Sequence, residues 1–184
     1  MTAPTEPVTV PDHGITPAVV AVASRGQVVA TDVSQDVIDH VVESVRRLCG
    51  WHVWPVRTED VSVRDYGDEA VLFPTLRLLE VTDMVTGGVE VDPARYEVYE
   101  DGTVDIPYRA PFPYPRKLTA TITHGFDKAP GLVDVVANMV VRSVAGTGDG
   151  ALSVGGVSYN SGTGVTPKTS EWVIIDRYKL GPRP

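Results

Sequence analysis

The chain predicts an α+β fold: a helical core of about three helices with a small, mostly antiparallel β-sheet block inserted into it, a flexible N-terminal arm and a C-terminal docking segment. Three observations predict it. Residues 34–49 carry apolar side chains at three- and four-residue spacing. From Trp51 to Thr123 that period gives way to short alternating runs separated by Gly and Asp turns. Residues 132–145 are then apolar around most of a helical circumference. The divisions read as 1–33 for the arm, 34–145 for the helix–β-block–helix domain, 146–169 for a Gly-rich connection and 170–184 for the C-terminal helix and tail.

The arm has four prolines in its first seventeen residues and few aliphatic side chains, which suits an extended or mobile segment. Residues 18–33 are apolar without a clear period, with a short helix or strand around 19–23. Ser34 is placed as an N-cap, because its hydroxyl accepts from the free N–H groups of a first turn. Val37, Ile38, Val41, Val42, Val45, Leu48 and Cys49 then form one stripe, opposed by Asp39, His40, Glu43, Arg46 and Arg47. The two arginines favour the negative end of the helix dipole. Gly50 suits the left-handed residue that ends a helix.

Strands are expected at 59–64, 70–73, 76–84, 89–91, 96–99, 103–106 and 117–123. Thr86-Gly87-Gly88 and Glu100-Asp101-Gly102 supply hairpin turns. Residues 110–116 hold three alternating prolines and read as an extended crossing loop, since proline cannot donate to a ladder. In the apolar helix at 132–145, Asp134, Asn138 and Arg142 recur every four residues as a narrow polar stripe. A strand-like island at 152–159 interrupts the Gly-rich connection. A last helix at 170–180 places Trp172, Ile175 and Tyr178 on one face.

The 184 residues carry a formal charge of -8 and a single cysteine. That charge disfavours wrapping of nucleic acid, where clustered cations neutralise phosphates. It suits a solvated surface, or a conduit along which DNA slides without sticking. One cysteine excludes an intrachain disulfide. The opening MTAPTEPVTVPDHG has no basic start or apolar run, so no signal peptide is expected. The longest apolar stretch is too short and too interrupted for a membrane span.

The tests for chemistry are mostly negative. His13, His40, His52 and His124 show no zinc-finger or HExxH spacing. Gly146-Thr147-Gly148-Asp149-Gly150 is followed by Ala151-Leu152 rather than the Lys-Ser/Thr of a phosphate loop. There is no GxSxG elbow. Cys49 lies on the apolar stripe, where a cysteine is structural more often than nucleophilic. The neighbouring carboxylates Glu59-Asp60, Asp68-Glu69 and Glu100-Asp101 would face opposite ways on a strand, unlike a glycosidase pair. No enzyme, metal or cofactor is expected from these patterns. Trp51 reads as a cap on the core. Trp54, Trp172, Ile175, Tyr178 and Leu180 are the candidate partner-interface residues, because a short terminal helix must dock on something and Trp is enriched in interfaces.

The order and spacing of CGWHVWPVRTEDV (49–61), PTLRLLEVTDM (74–84), YEVYEDGTVDI (96–106), LTATITHGFDKAPGLVDVVANMV (118–140) and the closing DRYKL (176–180) resemble the head-to-tail adaptor, or connector, proteins of long-tailed double-stranded DNA bacteriophages. The likeness covers most of the chain from Ser34 onward. It implies a structural virion protein, assembled in the host cytoplasm and placed in the neck of the particle. It further implies a homo-oligomeric ring of about twelve copies, docked on the portal protein and receiving a stopper or tail-completion protein below. DNA would pass through the channel without specific binding, and no membrane is involved. Two other readings compete. One is a small α+β ligand-binding or enzymatic domain with Tyr108, Tyr114, His124 and Asp127 around a pocket. The other is a different ring-forming tail-completion protein, although those are mostly β and would not need the helix at 34–49.

Overall fold

A computed structural model describes residues 11–68, 70–107, 114–146, 152–154, 157–159 and 166–181. The first ten residues, the tip of the expected crossing loop with Tyr108, Glu69, most of the Gly-rich connection and the last three residues lie outside the described residues. The mixed α+β class holds, with a helical part and, inserted in the chain order, a pair of small antiparallel sheets. The chain divides into two compact units rather than one: residues 1–45 with 130–175, and residues 46–129 with 176–184.

The first unit is helical. α1 (Pro17–Ala23) starts where the Thr16 hydroxyl accepts from the Val19 N–H at 3.4 Å and proline occupies the first turn. The expected arm is therefore folded from residue 11 onward. Ile15, Val20, Val28 and Val33 are all buried. His13 bonds Asp39 at 3.0 Å, and the Gln35 amide donates to the Ile15 carbonyl at 3.1 Å, so polar ties fix this segment to the next helix. That helix, α2 (Gln35–Cys49), begins as expected with Ser34 Oγ accepting from the Val37 N–H. Ile38, Val41, Val42 and Val45 are fully buried, and the unit boundary falls within α2, after Val45.

α3 (Pro130–Gly146) buries Leu132, Val135, Val136, Met139 and Val140. α1 and the short α4 (Thr169–Ile175) both pack against it. A Cβ on Gly131 would meet the Ile174 side chain at 3.1 Å, so the missing side chain lets α4 come close. The polar stripe of α3 is present: Asp134, Asn138 and Arg142 line one groove of about 390 Å³ with Gln27, Lys168 and Glu171. In the island expected at 152–159, Leu152–Val154 pairs antiparallel with Val157–Tyr159.

The second unit holds two sheets. The larger has the order β1 (Arg57–Asp65), β7 (Arg116–His124), β3 (Leu78–Thr86), β4 (Val89–Glu90). The smaller has the order β2 (Ala70–Leu72), β6 (Thr103–Asp105), β5 (Glu97–Val98). All pairings are antiparallel. Alternation decides the inner face. Val81, Met84, Leu118, Ala120 and Ile122 of the larger sheet share one core with Val71, Phe73, Val104 and Ile106. Ser62, Arg64, Lys117, Thr119 and Thr121 alternate with them and stay exposed or half-buried. The Asp101-Gly102 turn forms as expected, with Asp101 Oδ1 accepting from the Thr103 N–H at 2.9 Å. Gly102 sits at φ +92°, and a Cβ there would lie 2.4 Å from the Thr75 carbonyl oxygen, so only glycine fits.

Candidate functional site

Three of the segments singled out in the sequence converge in the second unit. The end of α2 and the WHVWP run after it, the His124-Gly125-Phe126 exit from β7, and the Tyr178–Leu180 tail build one aromatic and histidine cluster. Gly50, at φ +81°, closes α2 by donating to the Arg46 and Arg47 carbonyls. This turn aims Trp51 and His52 inward, at 7% and 5% exposure. Gly125 takes φ +108° and passes so close to Pro55 that a Cβ would stand 2.8 Å from its carbonyl oxygen. Its N–H donates to Arg77 and that of Phe126 to Val53.

The rings then meet, edge to face in three pairs and tilted in the Trp51–His124 pair. Trp51 lies 5.9 Å from Phe126 and 6.1 Å from His124, His52 lies 5.9 Å from His124, and Phe126 lies 5.5 Å from Tyr178. The Trp51 indole N–H donates to the Tyr178 carbonyl at 2.6 Å, and the Leu180 N–H to the Cys49 carbonyl at 2.9 Å. Both bonds tie the tail to the exit of α2.

The electrostatics of the cluster follow from burial. His52 Nε2 donates to the Pro55 carbonyl at 2.6 Å, and His124 Nε2 donates to Glu59 at 2.8 Å. Both Nδ1 atoms are buried with no hydrogen-bond partner among the described residues. Burial pushes His52 down to about 4, helped by the nearby Arg46 and Arg57 charges and by His124. Burial also lowers His124, with Glu59 opposing it. Burial would raise the Glu59 carboxyl, but hydrogen bonds from Arg57 and His124 outweigh it and hold it below the ordinary value. Burial drives the Cys49 thiol up to about 12, with Asp176 adding to the effect. Cys49 is therefore a neutral thiol inside the protein, not a nucleophile.

A second polar centre lies under the β1–β7 pair. Asp65 is 1% exposed; it accepts from Arg116 Nε at 3.0 Å, from the Thr86 hydroxyl at 2.9 Å and from the Gly67 N–H at 3.0 Å. The Tyr114 ring covers the Arg116 guanidinium at 4.7 Å. In the helical unit, Arg142 grips Glu171 through two bonds of 2.7 and 2.8 Å, and Glu171 also accepts from the Lys168 N–H at 2.7 Å.

These positions alter the expected interface set. Trp54 and Ile175 are 3% and 0% exposed, so neither side chain is presented to a partner. Trp54 instead lies under Arg46, whose guanidinium also donates to the Trp54 carbonyl at 2.7 Å. Trp172, Tyr178 and Leu180 are half-buried and keep part of their surface. Of the residues suspected for a ligand pocket, His124 is buried against Glu59, Tyr114 is stacked on Arg116, and Asp127 is exposed. Tyr108, the fourth of them, lies outside the described residues.

Among the described residues, no group of three or more His, Cys, Asp or Glu is placed to hold a metal ion, and no helix is long and apolar enough to cross a membrane. Sequence reasoning missed the His52–His124 pair and the Asp65 centre. The regular alternation of β1 was the available signal for the latter, because it puts Asp65 on the same face as Val61 and Val63. Neither a protein-family model nor a curated protein sequence matches this chain.

Proposed function

We propose that this protein is a structural adaptor of a bacteriophage neck, a ring subunit between the portal and the tail-side stopper, through whose channel the genome passes. The observation that carries this reading is the convergence of CGWHVWP, HGFD and DRYKL on one packed cluster. These are segments on which the resemblance rests, and they form one structural feature rather than scattered matches. The cluster is sealed: its histidines are 5% and 1% exposed, which suits a joint that holds a tail better than a site that admits a substrate. The formal charge of -8 supports passage of DNA without adhesion.

In this reading the C-terminal helix contacts the portal through its outer surface. Val173 is 58% exposed, beside the half-buried Trp172 and Ile174. Removal of residues 170–184 is a poor test of this contact. It deletes the buried Ile175, the Arg142–Glu171 pair and the Trp51–Tyr178 bond, and so unfolds what it is meant to probe. The better test is cross-linking mass spectrometry on complete particles of the encoding virus. Links from this chain to itself, to the portal and to one tail-side protein are expected. Absence of the chain from complete particles would overturn the adaptor role. Val173→Glu should weaken portal capture while leaving the circular dichroism spectrum and melting temperature unchanged.

A further inference from the structure

Two buried imidazoles in the β unit have no place for a second proton. His52 and His124 lie with ring centroids 5.9 Å apart. In each ring Nε2–H already donates, to the Pro55 carbonyl and to Glu59, and Nδ1 is buried with no hydrogen-bond partner among the described residues. A proton added at Nδ1 would be a buried donor and a buried charge with no acceptor to meet it. The neighbouring charges offer no relief. Arg46, from the end of α2, and Arg57, from β1, act on His52 as like charges. Glu59, also on β1, acts on His124, but Arg57 already holds that carboxylate at 2.6 Å. Two cations thus face one carboxylate before either ring is charged. Arg77, just ahead of β3, is paired with Glu100, and Asp127 and Lys128, beyond the exit of β7, are exposed. On the tail, Asp176 and Lys179 act on Cys49, and Arg177 is exposed.

The walls of this cluster are not equally secure. β7, which carries His124, is hydrogen-bonded to β1 on one side and to β3 on the other. The tail, residues 176–181, is tied down by less. Its Tyr178 carbonyl accepts the Trp51 indole N–H, its Leu180 N–H donates to the Cys49 carbonyl, and the Tyr178 ring meets Phe126. Asp176, Arg177 and Lys179 are exposed, and Tyr178 and Leu180 are only half-buried. Ring contacts run inward from there: Tyr178 to Phe126, Phe126 to Trp51, Trp51 to His124, and His124 to His52. The tail is therefore the outer end of a continuous stack whose inner end is the imidazole pair. A segment with few buried contacts opens at lower free energy than a strand paired on both sides.

We infer that the tail is a strap released by acid: a proton on the His52–His124 pair is accommodated when the tail leaves Trp51 and Phe126 and water enters the cluster, while β1, β7 and β3 stay paired. The sign follows from burial. In the sealed cluster burial lowers both imidazoles, His52 to about 4. In the released state, open to water, they titrate near the ordinary 6.5. The released state therefore binds more protons, and its share grows as pH falls from 6.5 toward 4. For His52 alone, the difference between the two titrations shifts the balance about thirtyfold toward release at pH 5. The strap is independent of the adaptor reading, and its test needs neither portal nor tail-side protein.

Amide hydrogen exchange on the full chain, corrected for the intrinsic effect of pH, reads the strap directly. The Leu180 N–H, bonded to Cys49, should lose about thirtyfold in protection between pH 7.5 and 5, and the Trp51 indole N–H, bonded to Tyr178, should follow it. Low urea should leave the Leu180 value unchanged, because the opening is local, whereas β7 amides should stay better protected at each pH and respond to urea. His52→Gln keeps a donor for the Pro55 carbonyl and His124→Gln one for Glu59. The double variant should hold Leu180 protection at one level across the range. A thirtyfold fall that persists in it would assign the response to other groups and overturn the strap. Should the double variant not fold, the unaltered chain still decides. There the loss should begin near pH 6.5, and an onset below 5 would assign it to carboxylates and overturn the proposal. Leu180 protection that is flat with pH would overturn it too, as would exchange with the protection and urea response of β7, since the tail would then open only with the whole unit. Any of these failures would leave the adaptor role, which is read from particles, untouched.

Discussion

The two units are held by different means. The helical unit is packed around aliphatic side chains, Ile38, Val41, Val42, Leu132, Val136 and Val140 among them, and its polar ties each join a buried side chain, His13 or Glu171, to a more exposed partner. The side chains of Asp39 and Arg142 are 51% and 23% exposed. The β unit also has an apolar core, but it buries two polar centres as well: Asp65 with Arg116, and His52 with His124. An apolar core responds to changes in volume. A buried polar centre responds to loss of a partner and to protons, because an unpaired buried group keeps its full desolvation penalty. The two units should therefore fail under different perturbations, and amide hydrogen exchange can follow each one separately.

The largest expected effect is in the β unit. Asp65→Ala leaves the Arg116 guanidinium without its buried counter-charge and should cost about 3–5 kcal/mol in denaturant unfolding. A simultaneous Arg116→Met change should recover part of that loss. No recovery would mean that Asp65 acts mainly through Thr86 and Gly67. Next comes the volume test in the helical unit. Leu132→Ala, at a fully buried site, should cost about 3 kcal/mol through lost transfer energy and the cavity left behind.

Acid should then separate the units. The unfolded His52 imidazole takes a proton near pH 6.5 and the folded one only near 4. The unfolded state binds more protons across that window, so stability present above 6.5 is lost as pH falls toward 4. The His52 contribution amounts to about 3 kcal/mol at the low end. His52→Gln keeps a donor for the Pro55 carbonyl but cannot titrate, and it should flatten that part of the profile. In the helical unit, the hydrogen bond from Gln35 holds the Asp39 carboxyl below its ordinary value, with His13 adding to it against the effect of burial. Its contribution is present above that ordinary value of 3.8 and lost only below it, as pH falls through the lowered folded value. A profile in which protection of both units declines together between 6.5 and 4 would break the comparison.

The smallest effect expected is for Glu171→Gln, which keeps the shape and one acceptor for Arg142 but removes the charge. It should cost about 1 kcal/mol and be confined to α3 and α4.

Much of this architecture is legible locally. α2 could be read from Ser34, its apolar stripe and Gly50, because cap, period and stop are all chemistry within a few residues. The Asp101-Gly102 hairpin is legible for the same reason. The last helix is shorter than its pattern suggests. It ends at Ile175, and the following residues leave the helix for bonds to Trp51 and Cys49, a tertiary choice that outweighs the periodicity of Trp172, Ile175 and Tyr178. The N-terminal segment reads as an arm because its prolines and sparse apolar residues hide a single fully buried valine, Val20, and two side-chain ties to α2. Trp54 and Ile175 looked like interface residues because an aromatic or branched side chain near a terminus carries no local sign of what covers it.

The sequence by itself determined the fold class, the order of elements and the alternation that gives the larger sheet one apolar and one polar face. Those follow from propensity and period, which act over a few residues. Tertiary structure alone decided the division into two units, the pairing of His52 with His124 and the burial of Asp65 against Arg116. Each joins residues distant in the chain: 72 positions separate the two histidines and 51 separate Asp65 from Arg116. At such distances nothing local records which partner will meet a given side chain, and only the energy of the closed fold selects it.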